Sequence, residues 1–201
     1  TPPYLSGVIT EQHGWQCAVF PGNCQVYPAP GITSLLAVIG NATNDPVHAG
    51  SQALVFSGPG SSGNAYRYFT GFETATDITM EVWIRALGGA TIGNVFVPLE
   101  NSAGTRAAAF RIGPNYSIDY GLVSAAWVPS GKVANPGEWH HIKMHLNYTT
   151  KTYDFFVDSE QINVSPIPFY TATANRLDRV HLFKGSGQIG LIMDDLNIYA
   201  A

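Results

Sequence analysis

GEWHHIKMHLNYTTKTYDFFVD, Gly137 to Asp158, is the stretch whose reading decides the fold. It reads as two strands joined by a short polar turn. On the first strand Ile142, Met144 and Leu146 share one face, and Trp139, His141, Lys143 and His145 share the other. On the second, Tyr153, Phe155 and Val157 alternate with Thr152, Asp154, Phe156 and Asp158. Period-2 alternation puts one face of a strand in a core and leaves the other open. The connector Asn147-Tyr148-Thr149-Thr150-Lys151 is polar and short, as an antiparallel hairpin needs.

Working outward, the same alternation recurs. In Asp77 to Arg85, Ile78, Met80, Val82 and Ile84 oppose Thr79, Glu81, Trp83 and Arg85. Further strands are expected at 34–40, 52–57, 65–70, 93–100, 106–112, 116–120, 121–128, 161–164, 178–184 and 188–199. Residues 1–30 read as an irregular N-terminal segment. Charged residues are only 12% of the 201, against a usual share of ~25%, and 21 Gly and 13 Pro supply turns instead. No stretch of useful length has helical period. The expected fold is therefore all-β: one domain over 1–201, a two-sheet antiparallel β-sandwich of the jelly-roll kind.

Near the C-terminus the apolar parity changes. Ile189, Leu191 and Met193 are odd, whereas Leu196 and Ile198 are even. The shift implies a bulge or bend at Asp194-Asp195. An acidic pair at a bend suits a calcium ion, which takes oxygen ligands. Regular strand geometry would point the two carboxylates to opposite faces.

Net charge is −4, which gives no electrostatic case for nucleic acid or an anionic membrane. No apolar run is long enough to span a bilayer. The chain begins Thr1-Pro2-Pro3 without Met, so a removed signal peptide or an excised domain is expected. Cys17 and Cys24 flank Phe20-Pro21-Gly22-Asn23, which suits a type II turn. A disulfide closing that turn would contribute roughly 2–3 kcal/mol; two neighbouring reduced thiols are the alternative. Sequons lie at Asn41, Asn115, Asn147 and Asn163, where roughly two would arise by chance. Together these features point to a secreted, extracellular or cell-surface protein.

The run from Ile78-Thr79-Met80-Glu81-Val82-Trp83, through Gly137-Glu138-Trp139-His140-His141-Ile142-Lys143, to Met193-Asp194-Asp195-Leu196-Asn197-Ile198-Tyr199 resembles the concanavalin A-like, laminin G-like jelly rolls of secreted and cell-surface proteins. The resemblance covers residues 4–200. It implies a sandwich that hosts lectins, carbohydrate-binding modules, polysaccharide hydrolases and lyases, and structural modules. It also implies a structural Ca2+ at the sheet edge, matched here by Asp194 or Asp195.

Residues i and i+2 on a strand are about 6.6 Å apart, and i and i+4 about 13 Å. Retaining glycoside hydrolysis needs carboxyls about 5–5.5 Å apart, and inverting hydrolysis about 6.5–9.5 Å. Only Asp158 and Glu160 are spaced i, i+2, at a strand end, so no catalysis is expected. A lyase would use His141 or His145 with Tyr148. Sugar binding needs a flat aromatic ring with polar groups around it. Trp83, Trp139 with His141, Phe156 and Trp127 fit that pattern. The leading expectation is a non-catalytic glycan-binding or adhesion domain. The alternatives are a self-associating subunit of a surface layer or filament, and a polysaccharide lyase or hydrolase.

Overall fold

The computed structural model describes residues 7–8, 15–18, 24–28, 48, 52–56, 63–87, 95–184 and 190–200. The side chains of 7–8, 15–18, 24–28, 52, 56, 63 and 184 lie outside that description. Two antiparallel sheets stack face to face. The larger has the order β1 (Gly7–Val8), β3 (Cys24–Pro28), β4 (Gln52–Phe56), β16 (Leu191–Ala200), β6 (Asp77–Ala86), β11 (His140–Asn147), β12 (Thr152–Val157), β13 (Glu160–Gln161), with β14 (Ile167–Pro168) also on β12. The smaller has the order β10 (Trp127–Val133), β9 (Ser117–Gly121), β8 (Arg106–Ile112), β7 (Val95–Glu100), β15 (Arg179–Lys184), β5 (Gly63–Tyr68), β2 (Trp15–Ala18).

The central hairpin forms as its pattern requires. Met144 faces Phe155, and Leu146 faces Tyr153. On its other edge β11 pairs β6, with Met144 opposite Met80 and His141 opposite Trp83. Ile142, Met144, Leu146, Phe155 and Val157 are fully buried, and so are Ile78, Met80, Val82 and Ile84. Each such side chain contributes about 1.5–3 kcal/mol through burial. Asn147 closes the turn: its Oδ1 accepts the N–H groups of Thr149 (3.0 Å) and Thr150 (2.8 Å), the short-range bonding that makes Asn a turn residue.

The bulge is where the parity change requires it. Asp194 pairs with Trp83 and Asn197 with Glu81, so three steps on β16 match two on β6. Asp195 takes a left-handed φ of 50°. Three expectations are corrected. Residues 7–8, 15–18 and 24–28 are strands, not irregular chain. The strand expected at 121–128 is interrupted, because Ser124 and Ala125 have φ of 64° and 66°, and β10 starts at Trp127. Of the strand expected at 161–164 only Gln161 is in a strand, the two-residue β13. The strand expected at 34–40 lies outside the described residues. No helix of the described residues is long and apolar enough to cross a membrane.

Candidate functional site

Each sheet turns one face away from the shared core, and the sugar-binding candidates divide between these two faces. On the larger sheet β6 and β11 bring Trp83 and His141 side by side, with ring centroids 5.0 Å apart. Trp139 joins them through His48, whose ring meets it edge-on at 5.9 Å. His48 also lies flat on Trp83, at 3.7 Å and an interplanar angle of 13°. That stacking takes one face of the indole that sugar binding would need. Phe156 lies on the same side of the sheet, opposite Lys143, whose ammonium is 5.4 Å from its ring.

His48 is anchored by the acidic pair. Its backbone N–H donates to Asp194 Oδ2 at 2.9 Å, and its Nδ1 is 2.8 Å from Asp195 Oδ2. The expectation that Asp194 and Asp195 face opposite ways is therefore corrected: the bulge turns both carboxylates to one residue. Calcium takes six to eight oxygen ligands. Among the described residues no group of three or more His, Cys, Asp or Glu is arranged to hold a metal ion. His145 stays on the open face near Asp77 (3.7 Å), whereas Tyr148 is buried against Phe169. The pairing of His145 with Tyr148 is thus not built.

The smaller sheet carries a different arrangement. On β15 Val180 and Leu182 enter the core, so Arg179, His181 and Phe183 point outward. Tyr68 and Tyr66 of β5 stand opposite Arg179 and His181. From β7 comes Glu100, 1% exposed. Its Oε1 takes Arg179 Nε at 2.8 Å and Nη2 at 2.7 Å, and His181 Nδ1 lies 3.2 Å from the same oxygen. Arg106 Nε approaches Oε2 at 3.5 Å. Arg179 lies 4.5 Å over the Tyr66 ring and donates to Tyr68 Oη at 3.0 Å. His181 stacks on Tyr66 at 4.3 Å, and its Nε2 is 2.8 Å from Asn64 Oδ1.

The aromatic row continues across the strands. His181 meets Phe183 at 6.3 Å, Phe183 meets Phe96 at 5.5 Å, and Phe96 meets Trp127 at 5.4 Å. Arg111 lies 4.6 Å over Trp127 and is held by Asp119 at 2.7 Å. Tyr170 closes the end beside Trp127 at 6.2 Å. It fits because residue 121 is glycine: a Cβ there would stand 2.8 Å from Tyr170 Cδ2.

The charges tune one another. Burial pushes the Glu100 carboxyl up, but the hydrogen bond and charge of His181 and the charge of Arg179 more than offset it. The carboxyl therefore sits below the ordinary glutamate value and stays ionised. Burial holds the Tyr66 phenol above its ordinary value, against the opposing charge of Arg179. A buried, ionised carboxylate thus fixes the guanidiniums and the histidine beside a neutral phenol and stacked rings.

Of the sequence candidates, Trp83, Trp139, His141 and Phe156 share one outward face, and Trp127 lies on the other. Glu100, Arg179, His181 and Tyr66 were missed. The available signal was the alternation of Arg179, His181 and Phe183 with Val180 and Leu182. Asn115 is exposed in a tight turn. Asn147 donates its Nδ2 to Asp77 at 2.9 Å. Asn163 is 7% exposed and uses its Nδ2 on Asp154 (2.7 Å) and Ser165 O (3.0 Å), so a glycan there would displace a buried bond. Asn41 lies outside the described residues. The backbones of Cys17 and Cys24 lie in β2 and β3, but their side chains, and so the expected bridge, lie outside the description.

No protein-family model matches the chain, and no curated protein matches it by sequence. Solved structures match the fold. A carbohydrate esterase from the Shiga toxin-encoding bacteriophage phi24B aligns over 98% of this chain and 97% of its own, with TM-score 0.60 and 13% identity. A sialidase aligns over 75% of this chain, with TM-score 0.61 and 11% identity, and this chain spans only 15% of its length. A carbohydrate binding module from Bacillus subtilis aligns over 73% of this chain and 86% of its own, with TM-score 0.53 and 8% identity. Likeness at such identities shows the β-sandwich. It also corrects the expectation that the chain is not an enzyme, because two of these sandwiches belong to proteins described as a sialidase and a carbohydrate esterase.

Proposed function

We propose that the chain binds an extended glycan across the outward face of the smaller sheet. The observation that carries this reading is the continuous aromatic row from Tyr68 to Trp127 flanked by fixed polar groups. It runs from β5 over β15 and β7 to Trp127 of β10, with successive ring centroids 4.3–6.3 Å apart, which suits more than one sugar ring. Rings stack on the apolar faces of pyranoses, and the more exposed Arg106 and Tyr68 bond the hydroxyls, with Glu100 and His181 fixing the groups around them from below. The sandwich shared with a carbohydrate binding module and a carbohydrate esterase supports it. So do the motifs that resemble those of laminin G-like jelly rolls, and such a ligand fits a secreted or surface setting. Tyr66, beside His181, is an acid–base group on the same face, so release of product from a bound polysaccharide is a second reading.

The test is a glycan array followed by calorimetry. Trp127→Ala and Tyr66→Ala should each weaken binding by about tenfold or more, equivalent to about 1.4 kcal/mol. Trp83→Ala, on the other sheet, should leave it unchanged. Binding that survives both substitutions on the smaller sheet would remove the proposal.

A further inference from the structure

Charge on the aromatic face is shared unevenly. Arg111 is paired with Asp119, and Arg176 with Asp178 at 3.0 Å. Arg106 and Arg179 share the single carboxylate of Glu100. Arg179 takes Oε1 at 2.7 Å and is largely covered, whereas Arg106 reaches Oε2 only at 3.5 Å and keeps its side chain 39% exposed. The Arg106 guanidinium lies 5.7 Å over the ring of Tyr170, at the Trp127 end of the row. A planar guanidinium fixed over a ring and only loosely engaged matches a carboxylate in a bidentate pair. It stands beside the rings on which a sugar would stack. A protein of net charge −4 repels polyanions at long range, so a local cation is what an acidic ligand would need.

From this we infer that the glycan is acidic, a uronate-bearing chain, and that Arg106 selects it by pairing with a sugar carboxylate beside Tyr170. The inference rests on the glycan reading above. The ring row supplies affinity for the chain, and Arg106 supplies the preference for charge. Added salt weakens the charged contact and leaves the stacking.

The experiment pairs uronate oligosaccharides of several linkages with their uncharged methyl esters. Affinities are measured by calorimetry at low and high salt. The wild type should bind at least one uronate about tenfold more tightly than its ester, and high salt should narrow the gap. Arg106→Gln should bring the acid down to the level of the ester, and Arg106→Lys should keep part of the difference. Equal affinity for acid and ester, or a preference that survives Arg106→Gln in a folded variant, would overturn the inference and leave the glycan reading standing. Failure to bind any acid or ester would overturn both.

Discussion

The two outward faces carry similar residue types and use them differently. On the larger sheet Lys143, Glu81, His145, Asp77 and Asp195 stand partly in water, while Arg85 is fully buried beside Trp139. Lys143 meets Glu81 at 3.7 Å, His145 meets Asp77 at 3.7 Å, and the side chains of Lys143 and Asp195 are 36% and 39% exposed. On the smaller sheet Glu100 and His181 have side chains only 1% and 8% exposed, though both point away from the core. Exposed pairs are worth about 0–1 kcal/mol. Buried charges are costly to desolvate and hold only when fully partnered. A fold that needed only solubility would not bury a carboxylate among cations on its outside. That difference is why the smaller sheet is the better candidate site, although the larger one holds two of the four tryptophans, Trp83 and Trp139, with histidines beside them.

The largest effect that tests this contrast is on stability. Glu100→Gln leaves Arg179 and His181 without their carboxylate and should cost about 3–5 kcal/mol in urea denaturation. A loss under about 1 kcal/mol would mean that the two faces do not differ. A smaller effect appears in acid. The Glu100 carboxyl lies below its unfolded value of about 4.3, so its contribution is complete above that pH and is lost as pH falls through the folded value. The wild type should therefore lose more stability than Glu100→Gln between neutral pH and acid, read from melting curves. Parallel curves would argue against a partnered, ionised Glu100. The smallest effect belongs to Glu81→Gln on the open sheet. It should change stability by no more than about 1 kcal/mol, since Lys143 and Tyr199 Oη (3.0 Å) are both near water.

Much of the fold was legible because a strand writes its faces into alternate residues. The hairpin, the core side of β6 and the phase change at Asp194 could all be read locally. The candidate site was less legible. Trp83 and His141 could be placed on faces, but the His48 ring that covers Trp83 comes from far along the chain and has no periodic signature. Glu100, Tyr68 and Arg179 meet only through the order β7-β15-β5, and Tyr68 and Arg179 are 111 residues apart in sequence. Alternation gives the face of each strand but not its neighbour. The lone carboxylate at the end of β7 therefore had no visible reason to be special until β15 was laid beside it.

The bulge in β16 has a consequence for how the C-terminal strand tolerates change. In the language of crystals it is a dislocation: one extra residue, Asp195, is absorbed locally, so the lattice on either side keeps its own phase. Leu191 and Met193 on one side, and Leu196 and Ile198 on the other, all face the core despite their opposite parity. Removing that single residue would not simply shorten the strand. It would reverse the phase of everything after it, turning Asn197 and Tyr199 towards the core and Leu196 and Ile198 towards water.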